Sequence, residues 1–113
     1  MDSLTEPKVH MATGFFKRLA GLIGKPYIAG YEFWCFPHCQ QIHTFGMRFP
    51  IDVVFINKNR EVVELLENLQ PWRISKKVKG SFAVLEMSVG GVKRCSLTVG
   101  QKVNFLPNFD NLV

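Results

Sequence analysis

The stretch from residue 39 to residue 56, CQQIHTFGMRFPIDVVFI, carries most of the information about fold and site. It places a thiol (Cys39), an imidazole (His43), a guanidinium (Arg48) and a carboxylate (Asp52) within sequence otherwise suited to a core strand. Polar groups cost free energy to bury unless they find partners. The stretch is therefore either a structural polar network or a site, and the sequence leaves both readings open.

Length and composition predict one folded unit. The chain has 113 residues, of which 47% are hydrophobic and 20% charged, as is typical of a globular protein. We expect residues 1–10 to form a flexible tail and residues 11–113 to form a single globular domain. Ten phenylalanines favour a core of large flat side chains, which strands accommodate well.

Charge and cysteine content limit the possible partners and the cellular compartment of the protein. Fourteen basic and nine acidic residues give a net charge of +5, which favours anionic partners in general. We interpret the one basic cluster, residues 76–79, as a solvated loop and expect no nucleic-acid binding. No apolar run is long enough for a signal peptide or a membrane span, and three cysteines cannot form a complete disulfide framework. These features predict a cytoplasmic protein with reduced thiols.

Local patterns predict an α+β fold. Thr13 can cap a first helix that Gly24 ends. Residues 57–60 form a hairpin turn in which Asn59 best tolerates a positive φ. Strands are expected over residues 31–36, 42–49, 51–57, 61–66, 82–89 and 102–106, with one helical turn over 92–97. The fold class is therefore a small curved, mostly antiparallel, barrel-like sheet with one N-terminal helix and a short second helical turn.

Two patterns suggest chemistry without establishing it. Cys35, His38, Cys39 and His43 have the ligand types of a zinc site, but all four fall within nine residues, so we assign no metal and no cofactor. Cys39 and His43 are also suited to a nucleophile and a base, with Asp52 orienting the imidazole. No glycine-rich oxyanion loop accompanies them, so an enzyme is the less favoured reading.

Two carboxylates interrupt apolar strands. Asp52 and Glu86 would be expensive as isolated buried charges, so each is expected to meet an arginine, to accept backbone N–H groups or to reach the surface. Trp72 and Arg73 follow a proline turn. Tryptophan and arginine are common anchors of binding sites, although such a tryptophan equally often covers the core.

The sequence resembles a known family, the domain of unknown function 192. The resemblance is carried by Cys39-x3-His43-Thr44-x-x-Met47-x-x-Pro50-Ile51-Asp52-Val53-x-Phe55, preceded by Arg18-x-x-Gly21-Leu22 and followed by Pro71-Trp72-Arg73, Leu85-Glu86 and Gly100. It implies a compact α+β fold with a curved, barrel-like sheet and implies no activity, substrate or cofactor. Its motif positions are His43, Thr44, Met47, Pro50 and Asp52, with Trp72 and Arg73 as expected neighbours. The family usually has Asp-Gly in the hairpin where this chain has Asn59-Arg60.

Together these observations predict a small, non-catalytic binding or accessory module. We expect it to contact a small anionic ligand or a protein partner, because basic and aromatic groups supply charge-assisted hydrogen bonds and apolar contact. A hydrolase-like enzyme using Cys39 and His43 and a zinc protein remain the alternatives. The sequence does not define the ligand, the partner or the oligomeric state. The predicted patch consists of Cys39, His43, Arg48, Asp52, Trp72 and Arg73.

Overall fold

The structure, a computed structural model, describes residues 6–13, 22 and 25–112. Five strands make up one sheet, followed by one turn of α-helix and one turn of 3₁₀-helix. The elements are β1 (Lys8–Met11), β2 (Glu32–Pro37), β3 (Ile51–Ile56), β4 (Val62–Leu69), β5 (Ala83–Ser88), α1 (Gly91–Arg94) and the 3₁₀ turn Asp110–Leu112.

The strands lie in the order β1-β2-β5-β3-β4, with β1 parallel to β2 and the other neighbours antiparallel. The α+β class with a mainly antiparallel sheet is therefore confirmed. The barrel-like shape is not: in the described part of the chain the sheet is open, with β1 and β4 at its two edges. The predicted N-terminal helix over residues 13–23 lies largely outside the described residues.

Hydrophobic side chains cover both faces of the sheet. Strand β3 is buried along its whole length because it lies between β4 and β5. Successive side chains of a strand point to opposite faces. Val53 and Phe55 accordingly pack in one hydrophobic cluster, and Val54 and Ile56 pack in the other. This continuous burial explains why the apolar run from Ile51 onward is recognisable as a strand.

Two predicted strands are absent from the described structure, and both corrections have a local cause. Residues 42–49 make only an isolated bridge, between His43 and Ile74. The chain turns because Gly46 takes a φ of 82° and the N–H of Met47 donates to the carbonyl of Thr44 at 3.1 Å. Residues 102–106 likewise make only the bridge between Lys102 and Glu61.

The amino-terminal segment also differs from the prediction. The sequence predicts a flexible tail over residues 1–10, yet residues 8–10 belong to β1 and pair with β2 in register. A side-chain hydrogen bond joins the two strands, with His10 Nε2 3.0 Å from Glu32 Oε2. Burial alone would raise the pKa of Glu32, but the N–H of Ala29, His10 and Lys8 outweigh it and lower the pKa overall.

The hairpin between β3 and β4 forms at residues 57–60 as predicted, but the positive φ falls elsewhere. Arg60 has a φ of 66°, whereas Asn59 does not enter the left-handed region. Asn57 explains the difference, because its Oδ1 accepts from the N–H groups of Asn59 and Glu61, both at 2.9 Å. This side-chain turn places the bend one residue later than the sequence suggests.

Candidate functional site

The site is organised by Thr44, which is fully buried and joins two loops. Its hydroxyl donates to the carbonyl of Gln70 at 2.7 Å and accepts from the N–H of Arg73 at 3.0 Å. Its own N–H donates to the carbonyl of Arg73 at 2.8 Å, and its carbonyl accepts from the N–H of Trp72 at 3.1 Å. One motif residue therefore fixes the backbone on both sides of Trp72.

A row of exposed aromatic rings lies on the two loops that Thr44 joins. His43 stacks on Phe45 with ring centroids 4.9 Å apart, and Phe45 stacks on Trp72 at 6.0 Å. Ile74 is the bridge partner of His43, so the two side chains are close neighbours. Trp72 is 65% exposed and Ile74 is 62% exposed. We call these four residues, His43, Phe45, Trp72 and Ile74, the aromatic surface.

The backbone under the aromatic surface is strained. Trp72 has a φ of 63°, in the left-handed region that bulky residues rarely enter. Such a conformation costs on the order of 1–3 kcal/mol and persists only where the surroundings impose it. The hydrogen bonds of Thr44 supply that constraint. The chain thus holds its exposed tryptophan in water at a cost in stability.

Two arginines accompany the aromatic surface. Arg73 lies between Trp72 and Ile74, and its Nη1 donates to the carbonyl of Trp72 at 3.4 Å. Arg48 follows directly after the turn that Thr44 begins, and its side chain is exposed. Within the described part of the chain, neither guanidinium lies within 4.0 Å of a carboxylate. His43, Arg73 and Trp72 of the predicted patch are therefore brought together, with Arg48 next to the same turn.

Asp52 is not part of this surface. Its side chain is buried, and its Oδ1 accepts from the N–H of Asn68 at 2.9 Å. Its Oδ2 accepts from the N–H groups of Gly90 and Val92 at 3.0 and 3.1 Å. The carboxylate thus ties the start of β3 to the end of β4 and to α1. Of the alternatives that the sequence leaves open for Asp52, the structure shows backbone N–H partners, and no arginine pairs with it among the described residues.

Cys39 lies at the other end of the sheet. It is buried, its Sγ donates to the carbonyl of Gln41 at 3.1 Å, and it lines a cleft beside Asn57. Asn57 lies five positions after Asp52, and β3 is extended between them, so about 16 Å separates the two residues. The imidazole of His43 accepts from the N–H of Phe45 instead, at 3.2 Å. The proposed nucleophile, base and orienting carboxylate are therefore not assembled as a catalytic group.

The zinc hypothesis also fails on geometry. Among the described residues, which include all four candidate ligands, no three His, Cys, Asp or Glu side chains lie close enough to share a metal ion. Cys35 is fully buried in β2, and burial raises the pKa of its thiol to about 12. A thiol that stays protonated in the core is a poor ligand, because metals bind the thiolate.

Sequence reasoning missed Phe45 and Ile74, which complete the aromatic surface. The spacing in the sequence could have indicated Phe45, because it follows His43 by two residues and so lies on the same side of an extended segment. Ile74 carries no such signal, because only the pairing of the two loops brings it to His43.

The fold places the protein among small α+β domains with one open sheet. The family model for the domain of unknown function 192, described as "Uncharacterized ACR", matches residues 2–105. The chain belongs to this family, and the resemblance inferred from the motif is confirmed.

Individual relatives agree with this assignment. The chain is 34% identical over 107 residues to a UPF0127 protein of Pyrococcus abyssi, covering 89% of this chain and 88% of that protein. It is 30% identical over 102 residues to a UPF0127 protein of Thermococcus sibiricus, covering 87% of this chain but only 66% of that protein. A protein of unknown function from Novosphingobium aromaticivorans has a similar fold, with a TM-score of 0.74 at 21% identity, over 83% of this chain and 71% of that one. None of these names carries an activity.

No helix in the described residues is long and apolar enough to cross a membrane.

Proposed function

We propose that this domain is a non-catalytic binding module whose aromatic surface contacts an acidic segment of a partner protein. The observation that carries the proposal is the exposure of Trp72 on a strained backbone. Strain of this kind is retained where the conformation serves a function, because a residue that tolerates a positive φ would be more stable there. Tryptophan is also a side chain strongly enriched among the dominant contacts of protein interfaces.

The composition of the surface supports a protein partner. Phe45, Trp72 and Ile74 are large exposed apolar side chains grouped around the imidazole of His43, and grouped exposed apolar side chains are typical of interaction sites. The rings are rigid, with few rotamers to lose, so little conformational entropy opposes their burial on binding. A row of exposed rings suits a peptide segment, whereas small molecules usually bind in concave pockets.

Charge indicates which partner fits. Arg73 directly follows Trp72, and Arg48 is exposed just after the turn that Thr44 begins. Neither is paired with a carboxylate among the described residues. The whole chain carries a net charge of +5. A partner segment that combines Asp or Glu with aromatic or aliphatic residues would supply both the ion pairs and the apolar contact.

Peptide selection tests the proposal while the partner is still unidentified. Peptides of about twelve residues are selected by phage display against the wild-type protein, and the enriched sequences are synthesised and measured by calorimetry at about 150 mM salt. We expect enrichment of peptides that combine acidic and large apolar residues. Trp72→Asn should weaken their binding about tenfold or more, and Arg73→Gln about fivefold.

The controls separate this surface from general stickiness. Tyr27 is 68% exposed and lies outside the aromatic surface, so Tyr27→Asn should leave the affinity within about twofold of wild type. Enriched peptides without acidic residues, or equal binding by wild type and Trp72→Asn, would refute the proposal. Circular dichroism and urea unfolding of each variant establish that the comparison is made between folded proteins.

A cytoplasmic location is part of the same proposal. The support is the odd number of cysteines, which suits a compartment that keeps thiols reduced. Cell fractionation with an antibody against the native protein tests it, and recovery from the medium or from a periplasmic extract would contradict it.

A further inference from the structure

We propose that a cleft at the opposite end of the sheet from the aromatic surface binds a small organic anion, a carboxylate or phosphate attached to an apolar group. The cleft has a volume of about 680 Å³, within the range of small-ligand sites. It lies where β2 and β3 end and β5 begins, since Pro37 and Ile56 both pair with Ala83. This inference is independent of the proposed function, which concerns other residues.

Two nitrogen-bearing side chains lie against Phe82, a largely buried phenylalanine that lines the cleft. The imidazole of His38 meets the ring of Phe82 edge-on, with centroids 4.9 Å apart. The Nζ of Lys58, in the turn between β3 and β4, lies 6.0 Å from the centroid of the same ring. Two groups that carry or accept a positive charge therefore converge on one apolar surface.

His38 is held in this position by an unusual backbone conformation. It directly follows β2 and has a φ of 57°, in the left-handed region. The next residue, Cys39, is anchored on both sides, because its N–H donates to the carbonyl of Phe82 at 3.0 Å and its carbonyl accepts from the hydroxyl of Ser81 at 2.9 Å. The imidazole is thus directed over the cleft by anchored backbone, although histidine is only moderately tolerant of this φ.

The electrostatics of the cleft favour an anion. Its lining contains no carboxylate: besides the residues above it is formed by Gln40, Asn57, Asn59 and Gly80. The ammonium group of Lys58 has no carboxylate within 4.0 Å among the described residues. The amide side chains of Gln40 and Asn59 can donate hydrogen bonds to an oxyanion, while Phe82 offers apolar contact to the rest of the ligand.

A second, smaller depression on the described surface is less suited to an anion. It has a volume of about 270 Å³ and lies beside Trp34 and Lys25, but the carboxylate of Glu32 also lines it. The pKa of Glu32 is lowered, so this group is anionic near neutral pH and would repel a second anion. The cleft at Lys58 is therefore the better anion site.

The test uses benzoate and phenyl phosphate as probes, with benzyl alcohol as the neutral analogue. Two-dimensional amide NMR of the full chain at about 150 mM salt follows each titration. We expect saturable shifts confined to the residues that line the cleft, with benzyl alcohol at least about fivefold weaker. The relative affinity of benzoate and phenyl phosphate then distinguishes carboxylate from phosphate as the preferred group.

Matched variants decide whether the cleft is responsible. Lys58→Gln and His38→Asn should each weaken binding about fivefold or more, and asparagine keeps the left-handed conformation at position 38 accessible. Lys93→Gln removes the same charge at α1, at the other end of the sheet, and should change the affinity less than twofold. The inference is overturned if no probe saturates, if the shifts spread over the surface lysines, or if Lys58→Gln binds as wild type does.

Discussion

At the scale of single residues, the shared motif combines two kinds of role. Thr44 and Asp52 are buried and bond to backbone groups, so they hold the fold. His43 is exposed and contributes a ring to the aromatic surface. Neighbouring residues of the motif thus have different roles: Thr44 and Asp52 stabilise the fold, whereas His43 forms part of the exposed surface. The two roles respond differently to mutation.

Removal of the Asp52 carboxylate should destabilise the fold strongly. Asp52→Ala leaves three backbone N–H groups without their acceptor, two of them at the start of α1. Unsatisfied buried donors cost about 1–3 kcal/mol each, so we expect a loss of about 3 kcal/mol in the free energy of unfolding. Urea denaturation measures it. Glu67→Ala, at an exposed position, should change stability by less than about 0.5 kcal/mol, and an equally small effect of Asp52→Ala would contradict the structural role.

Trp72→Asn should have the opposite effect on stability. Asparagine enters the left-handed region more readily than tryptophan, and the exposed ring stacks on Phe45 without entering the core. We expect the free energy of unfolding to rise by about 0.5–1 kcal/mol. A clear loss of stability in urea would mean that the ring of Trp72 stabilises the fold, and would contradict the proposal that Trp72 is exposed for binding.

Glu86 should make stability depend on pH. It lies in β5 between Trp34 and Val53, and burial raises the pKa of its carboxyl to about 8 from an ordinary value of 4.5. The folded state therefore holds this proton more tightly than the unfolded chain does. The contribution of Glu86 to the free energy of unfolding should be greatest below about pH 4.5. It should fall by about 1 kcal/mol per pH unit between about pH 4.5 and pH 8.

Glu86→Gln isolates this contribution. The variant lacks the titrating group, so its stability relative to wild type should increase steadily between about pH 5 and pH 8. Thermal unfolding of both proteins across that range measures the difference. A difference that does not vary with pH would show that the Glu86 carboxyl titrates at its ordinary value.

At the scale of elements, the decisive feature is the pairing of two loops. Residues 40–44 pair with residues 73–78 through backbone bonds, including Ser75 N–H to the carbonyl of Ile42 at 2.9 Å and Val78 N–H to that of Gln40 at 2.8 Å. Neither segment forms a long strand, because Gly46 turns one and Trp72 bends the other. The aromatic surface exists only because these two irregular segments meet.

Thr44→Val tests how far the loops depend on one hydroxyl. Valine keeps the shape but leaves the N–H of Arg73 and the carbonyl of Gln70 without the side-chain partner. We expect a loss of about 1–3 kcal/mol in urea denaturation, together with weaker binding of the selected peptides. Thr44→Ser keeps the hydroxyl and should retain most of the stability and the binding. Equal behaviour of the two variants would show that the hydroxyl bonds are not important.

At the scale of the whole molecule, two candidate sites occupy opposite ends of the sheet. The aromatic surface follows the end of β4, and the anion cleft lies at the hairpin that precedes β4. Strand β4 has eight residues, so roughly 25 Å of extended chain separates Lys58 from Trp72. Residues 38–44 run between the two sites, since His38 and Gln40 line the cleft and His43 belongs to the aromatic surface. Trp72 and Lys58 themselves share no contact partner among the described residues, so we expect substitutions at these two positions to act independently.

The double variant Trp72→Asn with Lys58→Gln checks this independence. Its change in the free energy of unfolding should equal the sum of the single changes within about 0.5 kcal/mol, because distant sites without shared partners are additive. Trp72→Asn should weaken binding of the selected peptides only. Lys58→Gln should weaken binding of benzoate and phenyl phosphate only. A measured coupling above about 1 kcal/mol would place the two sites in one cooperative unit.

Fold class, family, most strands and the hairpin are all predictable from the amino-acid sequence. These follow from local physics: β3 and β5 are mostly apolar, each interrupted by one carboxylate, and residues 57–60 have the composition of a turn. The sequence also predicted that Asp52 would need partners, since a carboxylate in a buried strand cannot remain isolated. Trp72 and Arg73 are recognisable as a pair from their residue types alone.

The grouping of polar residues into a site depends on the three-dimensional fold. Cys39, His43 and Asp52 are close in the sequence, yet an extended strand carries Asp52 away from Cys39 and Thr44 fixes His43 beside Trp72 instead. The open sheet, the strand at Lys8–Met11 and the contact between His43 and Ile74 depend on pairing between distant segments. Such pairing is selected by burial and hydrogen bonding over the whole chain, and residue spacing does not encode it.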